Sequence, residues 1–219
     1  TRGFFAAGFF FGHARATIRS GHKVAGMKLD HYIRVFDGSL SSQQCDQLIA
    51  LFAALPQHHR RSDPSSREGL TSSSWVELNL DRVLDANASG FMRSLIDASL
   101  ARYNQEVALP IPLPNSPLLS PLIMKRYGAG STDGFELHFD SIYEVSDRYL
   151  VFLWYLNDVE GGGATRFPQL DIEVQPRKGR LLMFPPYWMY QHQGMPSPLG
   201  DKYIMSTYLR FPRLPDQSV

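Results

Sequence analysis

Hydrophobic and polar positions follow two rhythms along the 219-residue chain: helical spacing in the first half and a period of two from residue 122 onward. The run His31-Tyr32-Ile33-Arg34-Val35-Phe36 reads as a strand closed by the turn dipeptide Asp37-Gly38. A helix follows. Ser41 and Gln44 make a capping box, and Cys45, Leu48, Ile49, Leu51, Phe52 and Leu55 recur at helical spacing until Pro56 stops them. A second helix is predicted over Asn87–Glu106, capped by Asn87 or Ser89, with Phe91, Leu95, Ile96, Leu100 and Tyr103 on one face. Between the two, Gln57 to Ser74 is dominated by His, Arg, Ser, Gly and Pro; it cannot bury itself and reads as a long mobile loop.

After the Pro-rich stretch Pro110–Pro121, the alternation predicts strands near 122–127, 134–140, 148–156, 171–175, 179–184, 189–193 and 202–211. The expected fold class is α+β, mainly β: a double-stranded β-helix (jelly-roll) barrel with packed N-terminal helices. Residues 29–219 are expected to be one domain, with helical support over 29–121 and the barrel core over 122–211. Residues 1–28 form an N-terminal segment of unassigned status. Its apolar run, Gly3–Gly12, is about half a bilayer span, so no membrane span is expected, and its flanks mimic a secretory signal only minimally.

Charge narrows the partners. Lys plus Arg number 22 against 21 Asp plus Glu, a net charge of +1 that offers little attraction to phosphate backbones or anionic lipid, so no nucleic-acid partner is expected. The single cysteine, Cys45, excludes an internal disulfide framework, a Cys-rich zinc site or an iron–sulfur cluster built by these residues alone. Cys45 itself reads as a small buried hydrophobe, and the default compartment is the cytoplasm. Any metal must sit on histidines and carboxylates.

In Phe135-Glu136-Leu137-His138-Phe139-Asp140, strict alternation sends Phe135, Leu137 and Phe139 to one face and Glu136, His138 and Asp140 to the other. His138 and Asp140 then lie about 6.5 to 7 Å apart at the backbone, which suits two adjacent metal ligands. On its own such a step also fits a solvated polar strand face. His192 in a later strand-like segment adds a third ligand, and ten residues on Lys202 adds a cation. Two histidines and one carboxylate leave three cis positions open on an octahedral metal, as Fe(II) requires to hold a bidentate cosubstrate and still bind dioxygen. A nearby ammonium would anchor that cosubstrate's far carboxylate. The pairs His58-His59 and Arg60-Arg61 read as solvated loop, and His13, His22 and His31 lack partner spacing. Trp188, with Tyr187 and Tyr190, is placed to flank a substrate entrance.

Over roughly Leu29–Phe211 the chain resembles the 2-oxoglutarate and Fe(II)-dependent dioxygenases, in particular the prolyl 4-hydroxylase-like branch. The resemblance rests on an ordered series: Tyr127-Gly128, His138-x-Asp140, Arg148, Tyr155-Leu156-Asn157-Asp158, Gly161 through Pro168, Pro176-Arg177-Lys178-Gly179, His192 and Gly200-Asp201-Lys202-Tyr203. It implies that His138, Asp140 and His192 are the catalytic iron ligands and that Lys202 pairs with the distal carboxylate of 2-oxoglutarate. Tyr127 and Tyr155 would line or hydrogen-bond the cosubstrate pocket, and Thr165 and Ser206 would support it with hydroxyls. Parity agrees, since Lys202, Ile204 and Ser206 share one strand face and Tyr149, Val151, Leu153 and Tyr155 another.

The implied enzyme is a 2-oxoglutarate-dependent dioxygenase (hydroxylase) that consumes dioxygen, with ascorbate as reductant. It would hydroxylate an unactivated C–H bond of a prolyl or other residue in a protein or peptide. Hydroxylation of a free amino acid or small metabolite is the alternative. A third reading, a metal-binding barrel without oxygenase activity, would have no need of Lys202 and Tyr155. The loops Gln57–Ser74 and Ser141–Asp147 are expected to close over the substrate.

Overall fold

The computed structural model describes residues 28–62 and 73–212. The run Gly3–Gly12 and the centre of the loop Gln57–Ser74 lie outside these residues. The flanks of that loop are ordered by pairing: Arg60–Arg61 forms a short strand, and Ser74 bridges to Gly134. No helix among the described residues is long and apolar enough to cross a membrane.

Helix α1, Ser42–Ala54, starts at the predicted capping box, with Gln44 N donating to Ser41 Oγ (3.2 Å) and Ser41 N to Gln44 Oε1 (2.8 Å). Cys45 and Phe52 are its buried residues, and Pro56 opens a separate 3-10 turn. Helix α2, Ala86–Val107, is capped by Asp85 rather than by Asn87 or Ser89. Its buried stripe is Met92, Ile96, Ser99, Leu100, Tyr103 and Val107; the predicted Phe91 faces solvent. The 92/96/99/103 row, a step of three to four residues, is the face it buries.

Among the described residues the strands form two antiparallel sheets. The larger holds β1 (Arg34–Phe36), β2 (Arg60–Arg61), β3 (Val76–Asn79), β4 (Ile123–Tyr127), β6 (Arg148–Tyr155), β9 (Leu181–Phe184) and β11 (Lys202–Arg210), in the order β1-β9-β6-β11-β4-β3-β2. The smaller holds β5 (Phe135–His138), β7 (Thr165–Phe167), β8 (Ile172–Val174) and β10 (His192–Gly194), in the order β5-β10-β7-β8. No ladder joins the two among the described residues, so the expected barrel takes the form of facing sheets.

Alternation in β6 decides the layering. Leu150, Phe152 and Trp154 face one core, shared with α1 and α2, while Val151, Leu153 and Tyr155 face a second core, shared with Phe167 and Val174 of the smaller sheet. Each fully buried side chain of this size is worth about 1.5–3 kcal/mol in removed apolar area.

Several expectations are corrected. The strand predicted at 189–193 begins as a 3-10 turn, Trp188–Tyr190, because Tyr190 N bonds back to Tyr187 O; pairing starts only at His192. The strand from His31 likewise opens as a 3-10 turn, Leu29–Tyr32. Strands β2, β3 and β7 were not predicted. Glycines 161–163 serve a crossover, not a tight hairpin, since β6 and β7 lie in different sheets. A Cβ on Gly162 would stand 2.6 Å from Pro196 O, so glycine is required where this crossover presses on the 196–198 segment.

Candidate functional site

The smaller sheet brings His138 and His192 together as direct register partners, with ring centroids 4.3 Å apart. Asp140 lies beyond the end of β5 and turns back toward them, His138 Nε2 standing 3.3 Å from Asp140 Oδ1 and His192 Nε2 3.5 Å from Oδ2. One ligand atom from each of the three residues lies within 4.8 Å of the other two. Both imidazoles are oriented alike. His138 Nδ1 meets Glu136 O at 2.7 Å and His192 Nδ1 meets Tyr190 O at 3.1 Å, so in the neutral tautomer each Nδ1 carries the proton and each Nε2 keeps its lone pair for the centre.

The electrostatics suit a cation there. Burial opposes charge on Asp140, yet the imidazoles of His192 and His138 and the Arg148 guanidinium together hold its carboxyl well below the usual range. Burial, reinforced by His138, pushes His192 down to about 4, which leaves it neutral near pH 7. Asp140 Oδ2 is buried and has no hydrogen-bond partner. An orphaned anionic oxygen beside two imidazole lone pairs fits a divalent metal, which would satisfy all three at once.

Across the same chamber lies Lys202, 3% exposed, its ammonium 5.2 Å from the Tyr127 ring and 5.8 Å from the Tyr155 ring. Burial and the neighbouring Lys125 push its pKa down to about 7, and no carboxylate among the described residues opposes the shift. A desolvated ammonium without a counter-charge is costly, and an anionic ligand is the chemistry that would relieve it. Tyr127, Thr165, Lys202 and Ser206 line this chamber with His138, Asp140 and His192. Tyr155 stands one layer behind and donates its hydroxyl to Thr165 Oγ1 at 2.7 Å. The chamber meets an open groove of about 850 Å³ at His138 and Asp140.

Two bulges decide which side chains reach the site. Between β5 and β10 the register runs His192↔His138 but Gly194↔Phe135, so β5 carries one extra residue. An inserted residue reverses the alternation, and Phe135, expected on the opposite face, packs against His138 at 4.0 Å while Leu137 stands 44% exposed at the groove. In β6 the pairs Leu209↔Leu150 and Arg210↔Arg148 leave Tyr149 as the extra residue. Tyr149 therefore joins the helix-side core instead of facing with Val151, Leu153 and Tyr155, and Arg148 swings to the groove, stacking 3.9 Å over Tyr208.

Other candidates are placed elsewhere. His31 Nε2 bonds Val107 O and His59 Nε2 bonds Phe52 O, both structural contacts. Trp188 is 65% exposed and Tyr190 buried; the groove takes Gln191 from that segment instead. Residues 142–145 of the predicted closing loop do line the groove. Lys125 and Tyr208 escaped the sequence reading, though parity pointed to both: Lys125 is two residues before Tyr127, and Tyr208 two after Ser206.

Residues 122–210 match the 2OG-Fe(II) oxygenase superfamily. The chain is 30% identical over 105 residues to the prolyl 4-hydroxylase subunit alpha-1 of Gallus gallus, covering 40% of this chain and 20% of that one. It is 25% identical over 181 residues to the probable prolyl 4-hydroxylase 11 of Arabidopsis thaliana, covering 77% of this chain and 58% of that one. The chain thus spans about a fifth of the alpha-1 subunit's length. Among solved structures, a Pseudomonas putida prolyl-4-hydroxylase superposes with a TM-score of 0.62 at 18% identity, over 84% of this chain and 94% of that one. The viral collagen prolyl hydroxylase of Paramecium Bursaria Chlorella virus-1, solved as a 2OG complex, superposes with a TM-score of 0.58 at 22% identity, over 83% and 97%. These likenesses establish the fold as that of prolyl hydroxylases.

Proposed function

We propose that this chain, whose residues 122–210 match the 2OG-Fe(II) oxygenase superfamily, is a 2-oxoglutarate- and Fe(II)-dependent dioxygenase hydroxylating a prolyl or other residue of a peptide. The observation that carries this reading is the placement of two imidazoles, an orphaned carboxylate oxygen and a buried, uncompensated ammonium around one chamber. His138, Asp140 and His192 would hold Fe(II). Iron with 2-oxoglutarate supplies the oxidising chemistry, in which the cosubstrate is decarboxylated to succinate as dioxygen is consumed and a C–H bond is hydroxylated.

The protein's own residues bind, orient and exclude water. Lys202 would pair with the distal carboxylate, an interaction strengthened by its dry surroundings. Thr165 Oγ1 accepts the Tyr155 proton and so keeps its own proton for donation to the cosubstrate. Tyr127 and Ser206 would add further hydroxyls from the facing strands β4 and β11. At about 40 Å³ the chamber as it stands holds a water or two, so seating a five-carbon diacid requires side chains, the flexible Lys202 stem among them, to draw back.

The groove supports a peptide substrate. It is open, and Phe135, Leu137, Ile142, Tyr143 and Val145 give it an apolar wall. A neighbouring prolyl hydroxylase from Trichoplax adhaerens, solved with a hypoxia inducible factor peptide fragment, and the probable prolyl 4-hydroxylase of Arabidopsis thaliana support a prolyl target. The test is anaerobic reconstitution with Fe(II) and 2-oxoglutarate, then addition of oxygen with proline-containing peptides or free amino acids while succinate is measured. Peptide-stimulated succinate release is expected. Stimulation by free amino acids alone would assign the enzyme to metabolites, and no iron-dependent succinate under any condition would overturn the reading.

A further inference from the structure

Asp140 lies two residues past the last ladder pair of β5, so the sheet that fixes His138 does not fix it. Its backbone is held from elsewhere. Asp140 N and Ser141 N both donate to Pro186 O at 3.0 Å, and Arg148 Nη1 donates to Asp140 O at 3.3 Å. The carboxylate has a separate partner, the Tyr208 hydroxyl, which donates to Oδ1 at 3.1 Å.

His138 Nε2 also stands 3.3 Å from Oδ1, but with Glu136 O 2.7 Å from its Nδ1 the tautomer protonated at Nδ1 turns a lone pair, not a proton, toward the centre. Tyr208 is itself tightly placed. It sits on the pocket face of β11 with Lys202 and Ser206, its ring is covered by the Arg148 guanidinium at 3.9 Å, and Arg148 is tied to Ser120 Oγ at 3.3 Å. The result is one oxygen of Asp140 satisfied and the other, Oδ2, buried and orphaned.

We propose that Tyr208 is a positioning residue for the metal centre: its hydroxyl holds Asp140 Oδ1 so that Oδ2 is the single oxygen presented to the ion. This rests on the assignment of His138, Asp140 and His192 as metal ligands. A carboxylate free to rotate would bind through either oxygen or through both, consuming a coordination position that the open face of the site needs. Outer partners of this kind are worth about 10–100-fold in metal affinity.

The experiment titrates Co(II) into the metal-free full chain without 2-oxoglutarate or turnover, following visible absorption and calorimetry. Tyr208→Phe keeps the ring under Arg148 and removes only the hydroxyl. We expect Co(II) binding about 10–100-fold weaker, with the melting temperature of the metal-free protein little changed. The same substitution in an Asp140→Ala background should have no further effect, because the tyrosine acts through that carboxylate. Unchanged Co(II) affinity in Tyr208→Phe overturns the proposal, as does an equal loss in both backgrounds, which would mark a merely structural role. Failure of the underlying site is distinct: His138→Ala and His192→Ala would then also bind Co(II) like the parent protein.

Discussion

The two sheets divide the labour of this molecule. The larger has its longest strands, β6 and β11, side by side, and β6 is buried along both faces between the helices and the smaller sheet. The smaller is built from strands of three or four residues, is bulged beside His138, and yet contributes both imidazoles and Thr165. Lys202 and Tyr208 reach across from the larger sheet. The larger sheet thus supplies the long buried strands and Lys202, while the short strands of the smaller bring His138, His192 and Thr165 to the same chamber. The site is a joint between the two, so substitutions should separate chemistry from stability according to the sheet they strike.

The largest separation is expected at the ligands. Replacing His138, Asp140 or His192 by Ala should cut succinate release by on the order of 10³-fold or more, the loss of several kcal/mol of metal-dependent stabilisation. Chemical denaturation should show the metal-free fold intact. Next comes the larger sheet, where Phe152→Ala empties a fully buried position against Trp154. It should cost about 3–5 kcal/mol of unfolding free energy, with cobalt affinity of the folded fraction retained. If it weakened metal binding as strongly as His192→Ala does, the division of labour would fail.

Lys202 sharpens the comparison because it belongs to the stable sheet but serves the site. Lys202→Ala should raise the 2-oxoglutarate KM by about 10–100-fold, the worth of a charge-assisted hydrogen bond, with a smaller change in kcat. Its proton gives a further signature. In the free protein its pKa is lowered to about 7, below its value of 10.5 in the unfolded chain. The unfolded state therefore binds more protons between these values. The penalty of burying the ammonium is full below pH 7 and is relieved as pH rises toward 10.5. Near pH 8, binding of 2-oxoglutarate should take up protons as the ammonium is restored, measurable by calorimetry in buffers of different ionisation enthalpy. Lys202→Met should lose that uptake. The smallest effect is expected for Tyr155→Phe, which removes one hydrogen bond to Thr165. A change of about 1 kcal/mol, less than tenfold in KM, should result.

How much of this was legible before folding follows the same division. Parity along β11 correctly grouped Lys202, Ile204 and Ser206, and the capping box at Ser41 set the start of α1. Both are local devices whose signal lies within a few residues. The bulges were not legible, because a bulge is a property of two paired strands and the partner is distant in sequence. That is why Phe135 and Tyr149 were assigned to the wrong faces and Arg148, though part of the family series, was given no place at the groove. The three-residue strand β7, wedged between a glycine run and a proline turn, is too short for alternation to register. His138, Asp140 and His192, which the fold brings together, were singled out through spacing and family resemblance together. Tyr208, whose role is visible only through Asp140, was not.

The central claim is that metal and anion sites from opposite sheets form one centre. Anaerobic calorimetry of 2-oxoglutarate binding to the Fe(II)-loaded protein, the metal-free protein, Lys202→Ala and His192→Ala tests it directly. The account predicts one binding event per chain that weakens sharply when either the metal, His192 or Lys202 is removed. Affinity in the metal-free protein or in His192→Ala equal to that of the Fe(II)-loaded parent protein would contradict it.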